Sequence, residues 1–271
     1  MKFSVLMSVY YKDNPQWLKE AVDSVMNNTV KPSEILIGID GQISKELEDK
    51  LQELAKKYTQ IKLASFKENR GRGALLHDTL PTTKYSLVAI MDSDDICYPN
   101  RFEKQLAIFE KEKDLDILGA FIEEFDEDTK EIVSVRKVPL EQDDIKKYIK
   151  TRNPINQVTV MFKKESILKL GGYPSNMRVG EDYLLWVRAI VNNLKLKNIS
   201  DILVKVRVNS DMFARRGGYS FYKANKDFLK EMLKLKLINY PCYLYNIYTR
   251  FVIQVLMPNN IRTLFYKKVL R

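Results

Sequence analysis

Tyr85-Ser86-Leu87-Val88-Ala89-Ile90-Met91-Asp92-Ser93-Asp94-Asp95 is the stretch that decides the fold. Residues 87–91 are an unbroken apolar run, the pattern of a strand buried on both faces of a parallel sheet. Asp92, Asp94 and Asp95 follow at once, and Pro99-Asn100 punctuates the start of a periodic segment. Open α/β sheets bind ligands in the crevice beyond the carboxyl ends of their strands, so acids placed there are site candidates. Such close carboxylates repel one another unless a positive charge compensates them. A hard divalent cation held by carboxylate oxygens would do so, as would helix N-termini. A solvated acidic turn is the competing reading, and the rest of the chain decides between them.

Outward from this strand the first 120 residues alternate between two periods. Residues 3–10 and 34–39 read as strands one and two, the latter ending at Asp40-Gly41. Between them Asn14-Pro15 has the chemistry of an N-cap and first helical position. Leu18, Ala21, Val22, Val25 and Met26 then space an apolar stripe at helical intervals. Ser44 caps a second helix with the stripe Leu47, Leu51, Leu54, Ala55 and Tyr58, and residues 61–66 are strand three. The loop Glu68-Asn69-Arg70-Gly71-Arg72-Gly73 leads into a short helix over 74–80. After the central strand, Phe102, Leu106 and Phe109 mark the inner face of another helix. Strand–helix alternation with short connections predicts a doubly wound, mostly parallel α/β sheet.

The second part is more mixed. Residues 117–125 and 132–138 read as two strands joined by the acidic turn Asp126-Glu127-Asp128. A polar helix is expected over 143–150, a strand over 158–162, and a turn at Gly171-Gly172-Tyr173-Pro174. Glu181-Asp182 opens a helix bearing Leu184, Leu185, Val187, Ile190 and Val191, and 199–208 closes the core as one or two strands. The expected organisation is one α/β domain over 1–211, divided near residue 115 into two parts, 1–115 and 116–211. A helical tail follows over 212–271.

With 271 residues and 45% hydrophobic content, one large core plus an appendage is within reach. The N-terminal apolar stretch is too short for a signal peptide with its cleavage site. No uncharged apolar run is long enough to span a bilayer. Cys97 and Cys242 make no disulfide framework, and a reducing cytoplasm fits these features. The net charge of +10 is localised: residues 212–271 hold twelve Lys/Arg against Asp227 and Glu231, which leaves the first 211 residues formally neutral.

Asp40, Arg70 and the 92–95 acids each lie just past a strand, so a doubly wound sheet brings them to one edge. In order, Ser4-Val5-Leu6-Met7-Ser8-Val9-Tyr10, Asp40, Asn69-Arg70-Gly71, Asp92-Ser93-Asp94-Asp95, Gly171-Gly172-Tyr173 and Glu181-Asp182-Tyr183-x-x-Trp186 resemble the family-2 nucleotide-sugar glycosyltransferases. The resemblance covers about residues 3–210 and implies the Rossmann-like GT-A fold, with 1–211 as the catalytic domain, its nucleotide-sugar half to about 115 and its acceptor half over 116–211. Residues 207–218, with Arg215-Arg216-Gly217-Gly218, are similar to the amylovoran, O-antigen and capsule repeat-unit enzymes.

Such enzymes invert configuration and use a nucleotide-sugar donor, commonly UDP-linked, with Mn²⁺ or Mg²⁺. The resemblance implies uracil on Asp40 and the nucleotide beside Val9, Tyr10, Arg70, Gly71 and Ser93. It puts the ribose and metal near Asp92 and makes Asp94 a metal ligand. Asp182 becomes the general base, with Glu181 as second candidate. The chemistry stands unaided: an attacking sugar hydroxyl needs a carboxylate to take its proton. Arg215 and Arg216 are candidates for guanidinium contacts to the diphosphate.

Two departures stand out. Gln157 takes a place where relatives carry a histidine, and the only histidine, His77, is expected to pack or cap. No Gln-x-x-Arg-Trp follows Glu181-Asp182, so a single sugar addition is expected, without processive synthesis. A metal-dependent nucleotidyl- or phosphoryl-transferase would want a lysine-bearing phosphate loop, which is absent. A non-catalytic nucleic-acid-binding protein would show a nucleic-acid motif and no acidic cleft.

The tail, with Phe228, Leu229, Met232, Leu233, Leu235 and Leu237 and then the aromatic stretch 241–256, reads as helices. Its cations suit an anionic membrane surface; the competing reading is a helical pair packed on the core. The expected acceptor is lipid-diphosphate-linked or an oligosaccharide, and the expected location is peripheral on the inner face of the plasma membrane.

Overall fold

Strand ends carry this molecule's chemistry, so the sheet is the place to begin. A computed structural model of the chain describes residues 1–177, 179–208, 217–259, 261, 262 and 265. Nine strands form one sheet. β1 (Phe3–Tyr10), β2 (Glu34–Asp40), β3 (Ile61–Phe66) and β4 (Leu87–Asp92) lie in the order β3-β2-β1-β4, every neighbour parallel. β4 is buried at every position except Asp92, as an apolar run in a sheet covered on both faces should be.

The covering helices are α1 (Pro15–Met26), α2 (Lys45–Lys57), α3 (Arg72–Thr79) and α4 (Arg101–Lys111). Asn14 Oδ1 caps α1 by accepting from Gln16 N and Trp17 N, and all five residues of its expected stripe are buried. Ser44 caps α2 through Leu47 N. These stripes and Phe102, Leu106 and Phe109 of α4 pack on the odd residues of β1, while α3 and the helices after α4 cover the other face around Leu6, Val88 and Ile90.

The second half departs from the parallel pattern. β6 (Ile117–Asp126) and β9 (Leu196–Val208) form a long parallel ladder with a register shift around Ala120 and Phe121. β7 (Ile132–Arg136) runs antiparallel beside β6, β5 (Ile96–Cys97) beside β9, and β8 (Met161–Lys163) bridges β4 and β6 in antiparallel sense. The expected strand over 158–162 is therefore corrected: Gln157–Thr159 is a 3₁₀ turn, and only the short β8 pairs. Polar side chains take the backbone there. Thr159 Oγ1 donates to Asn156 O (2.7 Å) and accepts from Ala120 N (2.9 Å), and Gln105 Nε2 donates to Thr159 O (2.8 Å).

α5 (Gln142–Tyr148), α6 (Lys164–Lys169) and α7 (Glu181–Val191) complete this half. Of α7's expected apolar residues, Val191 faces solvent while Leu184, Leu185, Val187 and Ile190 are buried. Two tail helices follow, α8 (Tyr219–Lys234) and α9 (Tyr240–Phe251), with a π-helical turn at Val252–Leu256. α8 buries Phe228, Leu229 and Met232 in the core cluster that holds Tyr183, Leu184 and Trp186. No helix among the described residues is long and apolar enough to cross a membrane. Lys267, Lys268 and Arg271 lie outside the described residues.

Candidate active site

Parallel register sets the donor side. Tyr10 pairs with Asp40, and Ser8 pairs with Asp92, so β1, β2 and β4 end along one edge. The buried Asp40 carboxylate accepts Arg70 N (2.9 Å) and Gly71 N (2.8 Å), which pins the β3–α3 loop to the end of β2. Asn69 Nδ2 donates to Asp40 O (3.1 Å). The loop returns so closely that a Cβ on Gly41, at φ +84°, would lie 2.7 Å from Asn69 N. The Arg70 guanidinium pairs with Asp78 and lies over the Phe66 ring.

Next along the edge is the acidic turn. One oxygen each from Asp92, Asp94 and Asp95 can be chosen within 4.8 Å of one another. An all-oxygen, anionic donor set is what Mg²⁺ or Mn²⁺ takes, so the residues fit such an ion. Burial, and then the Asp92 charge, pushes the Asp94 carboxyl up to about 6. Asp95 is pushed well above the usual carboxylate range, first by burial and then by Asp94 and Asp92. Asp13 is a fourth acid of the group, pushed up to about 6 mainly by burial. It accepts Ser93 Oγ (2.8 Å) and Tyr10 N (3.1 Å), tying the start of α1 to the turn.

Three arginines answer this charge. Arg72, at the start of α3, pairs with Asp92. Arg207, near the end of β9, donates its N–H to Asp95 Oδ1 (2.9 Å) and its Nε–H to Asp94 O (2.8 Å). Its guanidinium also pairs with Glu20 and Glu127 and stacks on Trp17 and Phe125. Arg101 is fully buried behind β4 and donates to Ile90 O (2.8 Å) and Gln105 Oε1 (3.1 Å).

The other acid pair opens α7. Asp182 Oδ2 accepts Asn153 Nδ2 (2.8 Å), and Glu181 is pushed up by burial and then by Asp182. Arg72 interacts electrostatically with Asp92, Glu181 and Asp182 together. Gly73 permits the close approach: a Cβ there would lie 2.5 Å from Pro174 O and 3.1 Å from Glu181 Cβ. The acidic turn and Glu181-Asp182 therefore share one guanidinium. His77 Nδ1 donates to Tyr173 O (2.9 Å), holding the Gly171-Gly172 turn, which is the packing role expected of it. Gln157 Nε2 donates to the buried Tyr173 Oη (3.0 Å).

Val9, Tyr10, Asp40, Arg70, Gly71, Asp92, Ser93 and Asp94 thus lie along one edge of the sheet or on the loops beyond it, and Glu181-Asp182 joins them through Arg72. Arg215 and Arg216 lie outside the described residues. Sequence reasoning missed Arg72, Asp13, Arg207 and Asn153 as parts of the site. Arg72 carried a signal, since it sits in the glycine-flanked loop beside Arg70, and Arg207 opens the 207–218 segment of the resemblance, though nothing there pointed to Asp95.

Comparison with known proteins gives the family and the fold. The profile of glycosyl transferase family 2 matches residues 4–169. The chain is 37% identical over 281 residues to an Escherichia coli UDP-Gal:α-D-GlcNAc-diphosphoundecaprenol β-1,3-galactosyltransferase, covering 100% of the chain and 97% of that relative. It is 34% identical to the amylovoran biosynthesis glycosyltransferase AmsE of Erwinia amylovora, over 86% of each. In three dimensions it is similar to residues 1–349 of Staphylococcus aureus TarS, solved with UDP-GlcNAc, at a TM-score of 0.68 and 18% identity. That match covers 99% of this chain and 76% of the solved one. A mannosyltransferase from Pyrobaculum calidifontis, solved with GDP-Man and Mn²⁺, gives a TM-score of 0.63 at 11% identity, covering 97% of this chain and 72% of that one. The fold is GT-A, and the chain belongs to glycosyl transferase family 2 as a glycosyltransferase.

Proposed function

We propose that this enzyme moves one hexose from a UDP-linked donor (glucose, galactose or an N-acetylated relative) to a hydroxyl of a lipid-diphosphate-linked or oligosaccharide acceptor in bacterial surface polysaccharide synthesis, with inversion. The observation that carries the reading is Arg72 interacting with Asp92 on one side and Glu181-Asp182 on the other, which makes the two acid groups one site. The Escherichia coli relative, a galactosyltransferase named for a diphosphoundecaprenol-linked sugar, supports the acceptor class.

In this reading uracil binds against Asp40, and the loop held on its carboxylate, with Arg70 and Gly71, borders the nucleotide together with Val9, Tyr10 and Ser93. Asp92 and Asp94 would hold Mn²⁺ or Mg²⁺, which when bound supplies Lewis-acid stabilisation of charge on the departing diphosphate. Arg72, with Arg215 and Arg216, adds guanidinium contacts to that diphosphate. Asn153 fixes one Asp182 oxygen, and the other takes the proton of the acceptor hydroxyl. The hydroxyl oxygen bonds to the anomeric carbon as the bond to the diphosphate breaks, and attack opposite the leaving group inverts the centre. Residues 1–211 form the catalytic domain. The basic tail, residues 212–271, holds it on the inner face of the plasma membrane.

The test is acceptor-dependent release of UDP from each UDP-sugar with Mn²⁺ and a GlcNAc-diphospholipid, followed by the anomeric configuration of the product. A β-linked product from an α-linked donor, lost with EDTA, is expected. Release of UMP in place of UDP would make the chain a phosphoryl-transfer enzyme and sink the reading.

A further inference from the structure

We infer that the outward face of α9 is the surface on which this chain rests against an anionic lipid bilayer. The inference rests on the proposed membrane location and names the side chains that make the contact. α9 has two unlike sides. Tyr243 (9% exposed) and Asn246 (3%) turn inward, where Asn246 Nδ2 donates to Lys150 O (3.3 Å) and Arg250 Nη1 donates to Asn225 Oδ1 (2.6 Å). Tyr240 (61%), Leu244 (48%), Tyr245 (63%) and Tyr248 (69%) turn outward. At 100° per residue these four fall within an arc of about 140°. A row of three tyrosines and a leucine is thus held in water by a helix whose other side is already used.

Charge says what covers it. No Asp or Glu follows Glu231, and the remaining forty residues carry seven Lys/Arg. Lys234 pairs with Glu231, Arg250 turns inward and Arg262 is buried, so Lys236, Lys267, Lys268 and Arg271 supply the positive charge. Acidic partners on α8 are committed, since Asp227 pairs with Lys230 and Glu231 with Lys234. An acid-free, cationic segment presenting amphipathic rings is complementary to anionic headgroups over acyl chains. Tyrosine suits that boundary, with its ring in the apolar layer and its hydroxyl at the headgroups. A second copy of the chain would bring the same positive field and repel. No described helix can span, so the contact is interfacial.

Position agrees with purpose. The Lys150–Thr151 backbone that receives Asn246 and Arg250 runs directly into Asn153, the partner of Asp182. The docking face and the acceptor end of the cleft are therefore fastened to the same loop, on the flank where a lipid-borne acceptor has to arrive.

The experiment is flotation of the full chain with phosphatidylcholine vesicles and with vesicles also containing phosphatidylglycerol, at low and high salt. Wild type should bind the anionic vesicles at low salt and little else. Leu244→Ser/Tyr245→Ser/Tyr248→Ser should lose at least about tenfold in partitioning, with melting temperature and transfer to a short soluble acceptor unchanged, because these side chains touch nothing the fold needs. Tyr245→Phe/Tyr248→Phe should bind as wild type, and Tyr245→Trp should emit further to the blue with anionic vesicles. Wild-type binding by the triple serine variant, with loss on charge reversal of Lys267, Lys268 and Arg271, would move the contact to the basic terminus and leave the membrane location standing. Indifference of wild type to every vesicle would overturn both. A wild-type dimer made monomeric by the serines would make the face a self-association surface.

Discussion

The two halves of the sheet place their functional groups by different rules. In the half β3-β2-β1-β4, the groups sit at strand ends or on the loops beyond, and parallel register alone aligns Tyr10, Asp40 and Asp92. In the half built on β6, β8 and β9, the groups sit at a helix start and on irregular backbone, fixed by Asn153, Asn156, Thr159 and Asn198. The first half is assembled by apolar burial and carries its charge as a local cost, with Asp13 and Asp94 both pushed up to about 6. The second spends its polar groups on holding itself together. Substitution should therefore separate chemistry from stability in the first half and couple polar contacts to stability in the second.

The largest effect should follow Asp94→Ala. If Asp94 holds the metal, losing that Lewis-acid contribution of several kcal/mol should lower transfer on the order of 10³-fold or more. Removing one of several crowded carboxylates relieves repulsion, so the melting temperature should hold or rise. Full activity would remove Asp94 from the metal site, and a lower melting temperature would erase the contrast between halves.

Asp182→Asn comes next. The amide keeps the size and can still meet Asn153 after a flip, but it takes no proton. General-base contributions run to about 10²–10⁴-fold, so kcat should fall by that order while UDP binding persists. A variant within threefold of wild type would transfer the role to Glu181.

Thr159→Val probes the second half. Valine keeps the shape, and Asn156 O keeps its bond from residue 159 N, but Ala120 N is stranded next to the register shift in the β6–β9 ladder. Leaving buried polar groups unmet costs about 1–3 kcal/mol. Urea unfolding should show that loss, with kcat changed less than by either aspartate. Unchanged stability would mean that the turn is held by apolar packing.

The same contrast sets how much could be read in advance. Strand ends at Tyr10, Asp40 and Asp92 follow from apolar runs, and two of the caps, Asn14 and Ser44, from local chemistry. The buried strand in front of Asp92 and Asp94 puts them at the sheet's carboxyl edge, and the strand-end residues elsewhere in the chain are needed to set them apart from a solvated turn. Thr159 did mislead: Val158 and Val160 alternate with it as a strand would, yet its hydroxyl serves Ala120, 39 residues away. Arg207 gave no local sign, because its tie to Asp95 spans 112 residues and exists only once β9 lies beside β5. Side-chain partners chosen by tertiary register leave no period in the sequence.

The smallest effect is the most discriminating. Asp13 ionises near 3.8 in the unfolded chain and at about 6 in the fold, where burial holds its proton. Between those values the folded state binds a proton that the unfolded state has released. Its contribution to stability is therefore full below about pH 4 and is lost as pH rises through about 6. Asp94 has the same sign, so the metal-free protein should weaken over that interval. Asp13→Asn keeps an acceptor for Ser93 Oγ and Tyr10 N but carries no titrating proton. Denaturant midpoints taken across the interval should give a shallower decline for the variant, with part of the slope remaining from Asp94, Asp95 and Glu181, all raised in the fold. The loss in Thr159→Val should be the same at every pH, since the stranded Ala120 amide does not titrate. If wild type instead gains stability as pH rises, or if Asp13→Asn keeps the full slope, the donor half does not carry its acids as a cost to the fold.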